Sequence, residues 1–250
     1  MSKVTFEKMD SIAVLRMNNG VTNAISLELI NDISEALITI GNEFQGMVLA
    51  GGDKFFSIGF DLPALIQYNR SEMTHYYSKF NEMALNLLTL PMPTCCVLSG
   101  HAVAGGYVIA LTCDYRFGVS GNKRIGLNEI KLGVPVPYLA DLILRQIVSD
   151  RIANDIIYGG EFITVSEANQ HGLVDEVSSQ TDVEKLAIEK IRAIAGYQKE
   201  AFSAIKSNRL ETILAKYRNN FKTKSEVFID CWFSEPTQSL LKEASRKFVR

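Results

Sequence analysis

The sequence predicts an α/β fold with a helical extension towards the C-terminus, and three observations carry that prediction. Apolar runs of β type alternate with segments of helical period through the first half. Glycine-containing turns follow two of those runs, Met47–Ala50 and Thr94–Leu98. Beyond about residue 181 only helical patterning remains, with Lys, Glu and Arg interleaved among Leu, Ile and Phe. Strands alternating with helices imply parallel pairing through helical crossovers.

Taken in order, Val4, Phe6, Ile12 and Val14 bracket a polar turn at Lys8–Ser11 and predict a β-hairpin. Leu27, Ile30, Ile33, Leu37 and Ile40 recur at three- and four-residue steps, which predicts a helix with Ser26 as N-cap and Gly41 as terminator. Helical patterning returns over about 71–90 and near 105–113, and a strand-like run begins at Tyr115. In the second half Thr164 with Glu167, and Thr181 with Glu184, fit capping boxes, in which hydroxyl and carboxylate satisfy unpaired amides at a helix start. Gly172 closes the first of these helices. The organisation expected is a core over residues 1–190 and a helical region over 191–250 that folds back on the core or packs against a neighbouring chain.

Composition excludes several classes. The 250 residues are 47% hydrophobic and 22% charged, which rules out a disordered chain. With 26 basic and 28 acidic residues no global positive field exists, so nucleic acid is not the expected partner. The stretch from Met83 to Cys113 lacks charged side chains, yet Pro91, Pro93, Gly100, Gly105 and Gly106 cut it too short for a membrane span. The N-terminus carries Lys3, Glu7, Lys8 and Asp10 without an apolar stretch, and the final Lys-Phe-Val-Arg forms no evident address signal. Cys95, Cys96, Cys113 and Cys231 show neither disulfide-framework nor zinc spacing, which points to a reducing, cytoplasmic setting.

The chemistry-bearing elements are few. There is no nucleophile elbow, phosphate-binding P-loop or zinc-protease helix, and His75, His101 and His171 lack metal-ligand spacing. Two turns stand out: Gly51 to Asp61, and Ser99 to Gly106, the second opening a helix. Glycine admits close backbone approach and a helix start presents unpaired N–H groups, so two such turns can aim one amide each at a shared oxygen. The third element is Ile125 to Gly133, where Glu129 lies among apolar residues with only Lys131 as a nearby opposite charge. An apolar setting raises a carboxyl pKa and suits it to acid/base work near neutrality.

These three elements, with MNNGVTNAIS (17–26), FFSIGFDL (55–62), GHAVAGGYVIALTCDYR (100–116), IGLNEIKLG (125–133) and TVSEANQHGLVDEV (164–177), resemble the crotonase superfamily of enoyl-CoA hydratases and isomerases. The resemblance implies a spiral of ββα units and an acyl-CoA substrate. It also implies C-terminal helices that associate subunits into trimers or dimers of trimers. Carried over by position, the Ile58 and Gly105 amides would form the oxyanion hole. Asn23, Ala24, Ser57, Gly59, Asp61, Leu62 and Gly106 would line the substrate path, mostly through backbone atoms. Hydratases of this family use two glutamates. Glu129 matches the second, whereas Val108 occupies the place of the first and can neither accept a proton nor orient water. A single carboxylate suffices to move a double bond, and AGGYVIALTCDYR with GLNE looks most like the Δ3,Δ2-enoyl-CoA isomerase branch. The resemblance therefore implies isomerisation of a 3-enoyl-CoA first, hydration second, and another enolate-forming reaction third. For that third reaction Tyr107 and Asp61 are the candidate proton donors, although the residues themselves read as a core aromatic and a turn carboxylate. A non-catalytic binding protein is the alternative from another class. No metal is implied, and coenzyme A enters only as part of the substrate.

Overall fold

The computed structural model describes residues 2–246; the final Lys-Phe-Val-Arg lies outside the described residues. The predicted hairpin is present as β1 (Val4–Met9) and β2 (Ile12–Met17), paired antiparallel. Helix α1 (Leu27–Glu43) starts at Ser26, whose hydroxyl accepts from the Leu29 N–H. It runs past Gly41, the expected terminator, and ends at Phe44. That ring is buried and packs edge-on against Phe6 at 5.9 Å, so a side-chain anchor, not a glycine, sets the helix end.

Next come β3 (Gly46–Ala50), β4 (Phe55–Ser57), the short α2 (Leu62–Leu65) and α3 (Arg70–Leu88). A second pair, β5 (Thr94–Leu98) and β6 (His101–Val103), leads into α4 (Gly105–Thr112), and a third is β7 (Tyr115–Val119) with β8 (Arg124–Gly126). Each pair gives its first strand to one sheet and its second to another. The large sheet has the order β1-β2-β3-β5-β7-β10 and the small one β4-β6-β8-β9. This is the ββα spiral. The chain continues through a 3₁₀ turn (Glu129–Leu132), α5 (Tyr138–Ile147), α6 (Asp150–Gly159), β9 (Ile163–Thr164), α7 (Val165–Gln170) and β10 (Glu176–Ser178). The helices α8 (Val183–Ala195), α9 (Lys199–Trp232) and α10 (Glu235–Ser245) complete it.

The capping box at Thr164 and Glu167 forms. The one expected at Thr181 and Glu184 does not. Asp182 precedes α8, and Glu184 is held instead by both terminal nitrogens of Arg16 at 2.7 Å each. A bidentate charge-assisted pair outweighs a single cap bond.

The central strands of the large sheet, β2, β3, β5 and β7, are buried on both faces. One face packs on α8 through Ile12, Val48 and Val97; the other meets α1, α3 and α4 through Leu15, Leu49 and Leu98. The helical tail folds back onto that second core, to which Leu210, Tyr217, Phe228 and Trp232 of α9 belong. A buried ion pair pins it: Lys206 reaches Asp114 at 2.8 Å, and Arg209 holds the other Asp114 oxygen at 2.6 Å. Among the described residues no helix is long and apolar enough to cross a membrane.

Candidate active site

Strands β4, β6 and β8 lie side by side and parallel in the small sheet. The chain leaves their carboxyl ends into Ile58–Phe60, Ala104–Gly105 and Leu127–Glu129, so the spiral brings three sequence-distant turns to one edge. All three turns contribute to the wall of one cavity of about 410 Å³. Its opposite wall comes from Phe228 and Trp232 of α9 and Leu241 of α10. The carboxyl ends of parallel strands are where such sheets take ligands.

The first turn corrects one expectation. The Ile58 N–H is already spent, donating to the Thr22 carbonyl at 3.0 Å. The Gly59 N–H donates to Ser57 Oγ, and that hydroxyl donates to the Asn23 carbonyl. Phe60 differs. Ile25 bridges it in parallel register, through Ile25 N–H to the Gly59 carbonyl and Asp61 N–H to the Ile25 carbonyl. In that pattern the intervening Phe60 N–H faces the other way, and it meets no acceptor among the described residues. The amide this turn offers is therefore that of Phe60, two residues beyond the predicted one. Its ring is wedged edge-on against Tyr76 and Phe80 at 5.1 and 4.8 Å, which fixes the backbone that carries the amide.

The second turn is strained. Ala104, which precedes α4, sits at φ 48°, ψ −127°, a conformation a residue with a Cβ rarely adopts. The strain delivers the chain abruptly into α4, whose first two amides, Gly105 and Gly106, have no acceptor among the described residues. Gly105 is on the cavity wall against the Phe60 ring.

Glu129 opens the 3₁₀ turn. It is 5% exposed, lines the cavity, and its Oε2 is buried without a hydrogen-bond partner. Burial pushes its pKa up to about 7, with a backbone hydrogen bond partly opposing. Lys131, the cation expected beside it, turns to Glu161 at 2.5 Å. Glu129 therefore keeps a desolvated carboxyl with no charged partner.

The other predicted positions divide. Leu62 is on the cavity wall. Asn23, Ala24, Ser57, Gly59, Asp61 and Gly106 lie outside it; Asn23 and Ser57 are buried and build the first turn from behind. Val108 is buried within α4, also off the wall. Tyr107 faces away into a separate cavity of about 200 Å³, and its hydroxyl contacts the Leu173 carbonyl at 3.5 Å. His101 Nδ1 accepts the Arg124 N–H at 2.9 Å, a structural role. The missed residues are Phe60 and the aromatic wall of Phe228 and Trp232, which only tertiary packing brings to the site.

A family model described as enoyl-CoA hydratase/isomerase matches residues 7–248. A human relative, enoyl-CoA delta isomerase 1, mitochondrial, is 30% identical over 185 residues, covering 72% of this chain and 61% of that protein. The chain thus spans about three fifths of that relative's length. The short-chain-enoyl-CoA hydratase of Clostridium acetobutylicum is 25% identical over 94% of this chain and 91% of its own. Among solved structures, human mitochondrial delta3-delta2-enoyl-CoA isomerase superposes with a TM-score of 0.94 over 98% of both chains at 24% identity, a likeness of fold. With the family model spanning nearly its whole length, the chain belongs to the enoyl-CoA hydratase/isomerase family and has the crotonase fold.

Proposed function

We propose that this protein moves a double bond in an acyl-CoA thioester, from the 3,4 to the 2,3 position. The observation that carries the proposal is the pairing of one buried carboxyl, Glu129, whose Oε2 has no hydrogen-bond partner, with the unpaired amides of Phe60 and Gly105 around one cavity.

The α-proton of a thioester is weakly acidic, and its loss places negative charge on the carbonyl oxygen. Two backbone N–H groups aimed at that oxygen stabilise the charge where it develops; one such donor contributes about 3 kcal/mol to the transition state. Glu129 as carboxylate takes a proton from C2. The C2 electron pair delocalises through the C3–C4 double bond into the dienolate, and the carboxylic acid so formed returns the proton to C4. The double bond then lies at C2–C3. Glu129 is again a carboxylate, and no electron carrier is required. Titration near 7 lets one group serve as base and then as acid.

Hydration would require a second group to hold and activate water. Val108 offers none, and Glu129 is the one buried acid on the cavity wall among the described residues; Glu243, the other acid there, is exposed on α10. The test is a paired assay of 3-enoyl- and 2-enoyl-CoA over several chain lengths. Isomerisation should exceed hydration by orders of magnitude; hydration as the faster reaction would replace this proposal with the hydratase one.

A further inference from the structure

Helix α10 is held to the rest of the chain in an uneven way. Its apolar residues Leu240, Leu241 and Ala244 stand on the wall of the cavity that holds Glu129. Its polar side chains mostly bond within α10 or to its neighbour: Ser239 and Ser245 to their own helix, Gln238 to the Trp232 carbonyl. Among the described residues one side-chain hydrogen bond ties α10 to the chain before α9: Thr237 Oγ1 donates to the Gly133 carbonyl at 3.0 Å. Thr237 is 3% exposed, so water does not compete for that bond.

The acceptor is at the other end of the catalytic turn. Gly133 caps the 3₁₀ segment that starts at Glu129, in the left-handed conformation at φ 79°. Gly133 N–H donates to the Ile130 carbonyl and Val134 N–H to the Glu129 carbonyl, both at 3.2 Å, so the turn is a closed loop. A side chain at Gly133 would collide with the Thr237 side chain, so that side chain approaches the turn as closely as glycine allows.

We propose that Thr237 is a positioning residue for Glu129, its hydroxyl locking α10 onto the turn that presents the carboxyl and keeping water out of the cavity. This rests on the isomerase proposal above. The charged groups on the cavity wall besides Glu129 are Lys131, engaged by Glu161, and Glu243 of α10; from α3, Tyr77 lies within electrostatic reach. None is a close partner that fixes the Glu129 charge, so exclusion of water is the effect that α10 controls.

The test uses Thr237→Val, which keeps the shape and removes the donor, and Thr237→Ser, which keeps the donor. In the valine variant kcat should fall about tenfold with KM little changed. Water admitted to Glu129 should move the acidic limb of the kcat profile to lower pH by roughly half a unit or more. The serine variant should recover both. A purely structural bond would lower Tm and leave that limb in place, which would overturn the proposal. So would a serine variant as impaired as the valine one. Thr237→Ala replaces the valine variant if that fails to fold. The Glu129 titration, followed by carboxyl infrared difference against Glu129→Gln, decides the point without turnover, so it stands apart from any failure of the isomerase reading.

Discussion

Gly59 and Gly105 stand so close that a Cβ on Gly59 would lie 3.0 Å from the Gly105 amide nitrogen. The two turns that offer the Phe60 and Gly105 amides are thus braced on each other, and the spacing between the two donors depends on the missing side chain. Gly59 is also at φ 87°, where a side chain is strained. Gly59→Ala should therefore destabilise the fold by about 1–3 kcal/mol and push the amides apart. A displacement approaching 1 Å costs on the order of 10²-fold in kcat. Steady-state kinetics beside thermal unfolding checks both effects.

Which amide of the first turn does the work can be settled one atom at a time. Replacing the Phe60 peptide N–H by an ester oxygen, through incorporation of phenyllactate, should lower kcat by about 10²–10³-fold. The same replacement at Ile58 breaks its bond to the Thr22 carbonyl. It should cost about 1 kcal/mol of stability and little turnover. The opposite ranking would return the role to Ile58.

Glu129 also makes a prediction about stability against pH. Its carboxyl titrates at about 7 in the folded chain and near 4.5 when unfolded. Between those values the native state holds a proton that the unfolded state has lost, so stability falls as pH rises through that window. Below it the penalty is absent; above it the cost levels at about 3 kcal/mol. Glu129→Gln should then be more stable than the parent chain at pH 8 and indistinguishable near pH 4, by denaturant unfolding. The wild-type rate should rise with pH through about 7, since the proposed reaction begins from the carboxylate.

Much of this was legible because it is local. Ser26 caps its helix, Thr164 and Glu167 form their box, and the alternation of runs announces the spiral, each from interactions a few residues apart. What was not legible depends on distant partners. Glu184 leaves its expected cap for Arg16, 168 residues away, and Lys131 leaves Glu129 for Glu161. The first-turn amide could not be placed by position alone, because the Thr22 and Ile25 carbonyls decide which N–H groups are consumed. The aromatic wall from α9 was hidden for the same reason. Phe228 and Trp232 read as one stripe of a long charged helix until Phe228 stacks on Tyr77 at 3.9 Å and closes the cavity.

The central claim is that one carboxyl both removes and returns the proton. It is tested most directly by turnover of 3-enoyl-CoA by Glu129→Gln, beside binding of the same thioester. The amide keeps the shape and loses the base, so kcat should fall by about 10⁴-fold or more, at or beyond the upper end of general acid–base contributions, with Kd changed by less than about threefold, or some 0.7 kcal/mol. A variant that binds the thioester and turns it over within tenfold of wild type would contradict the account.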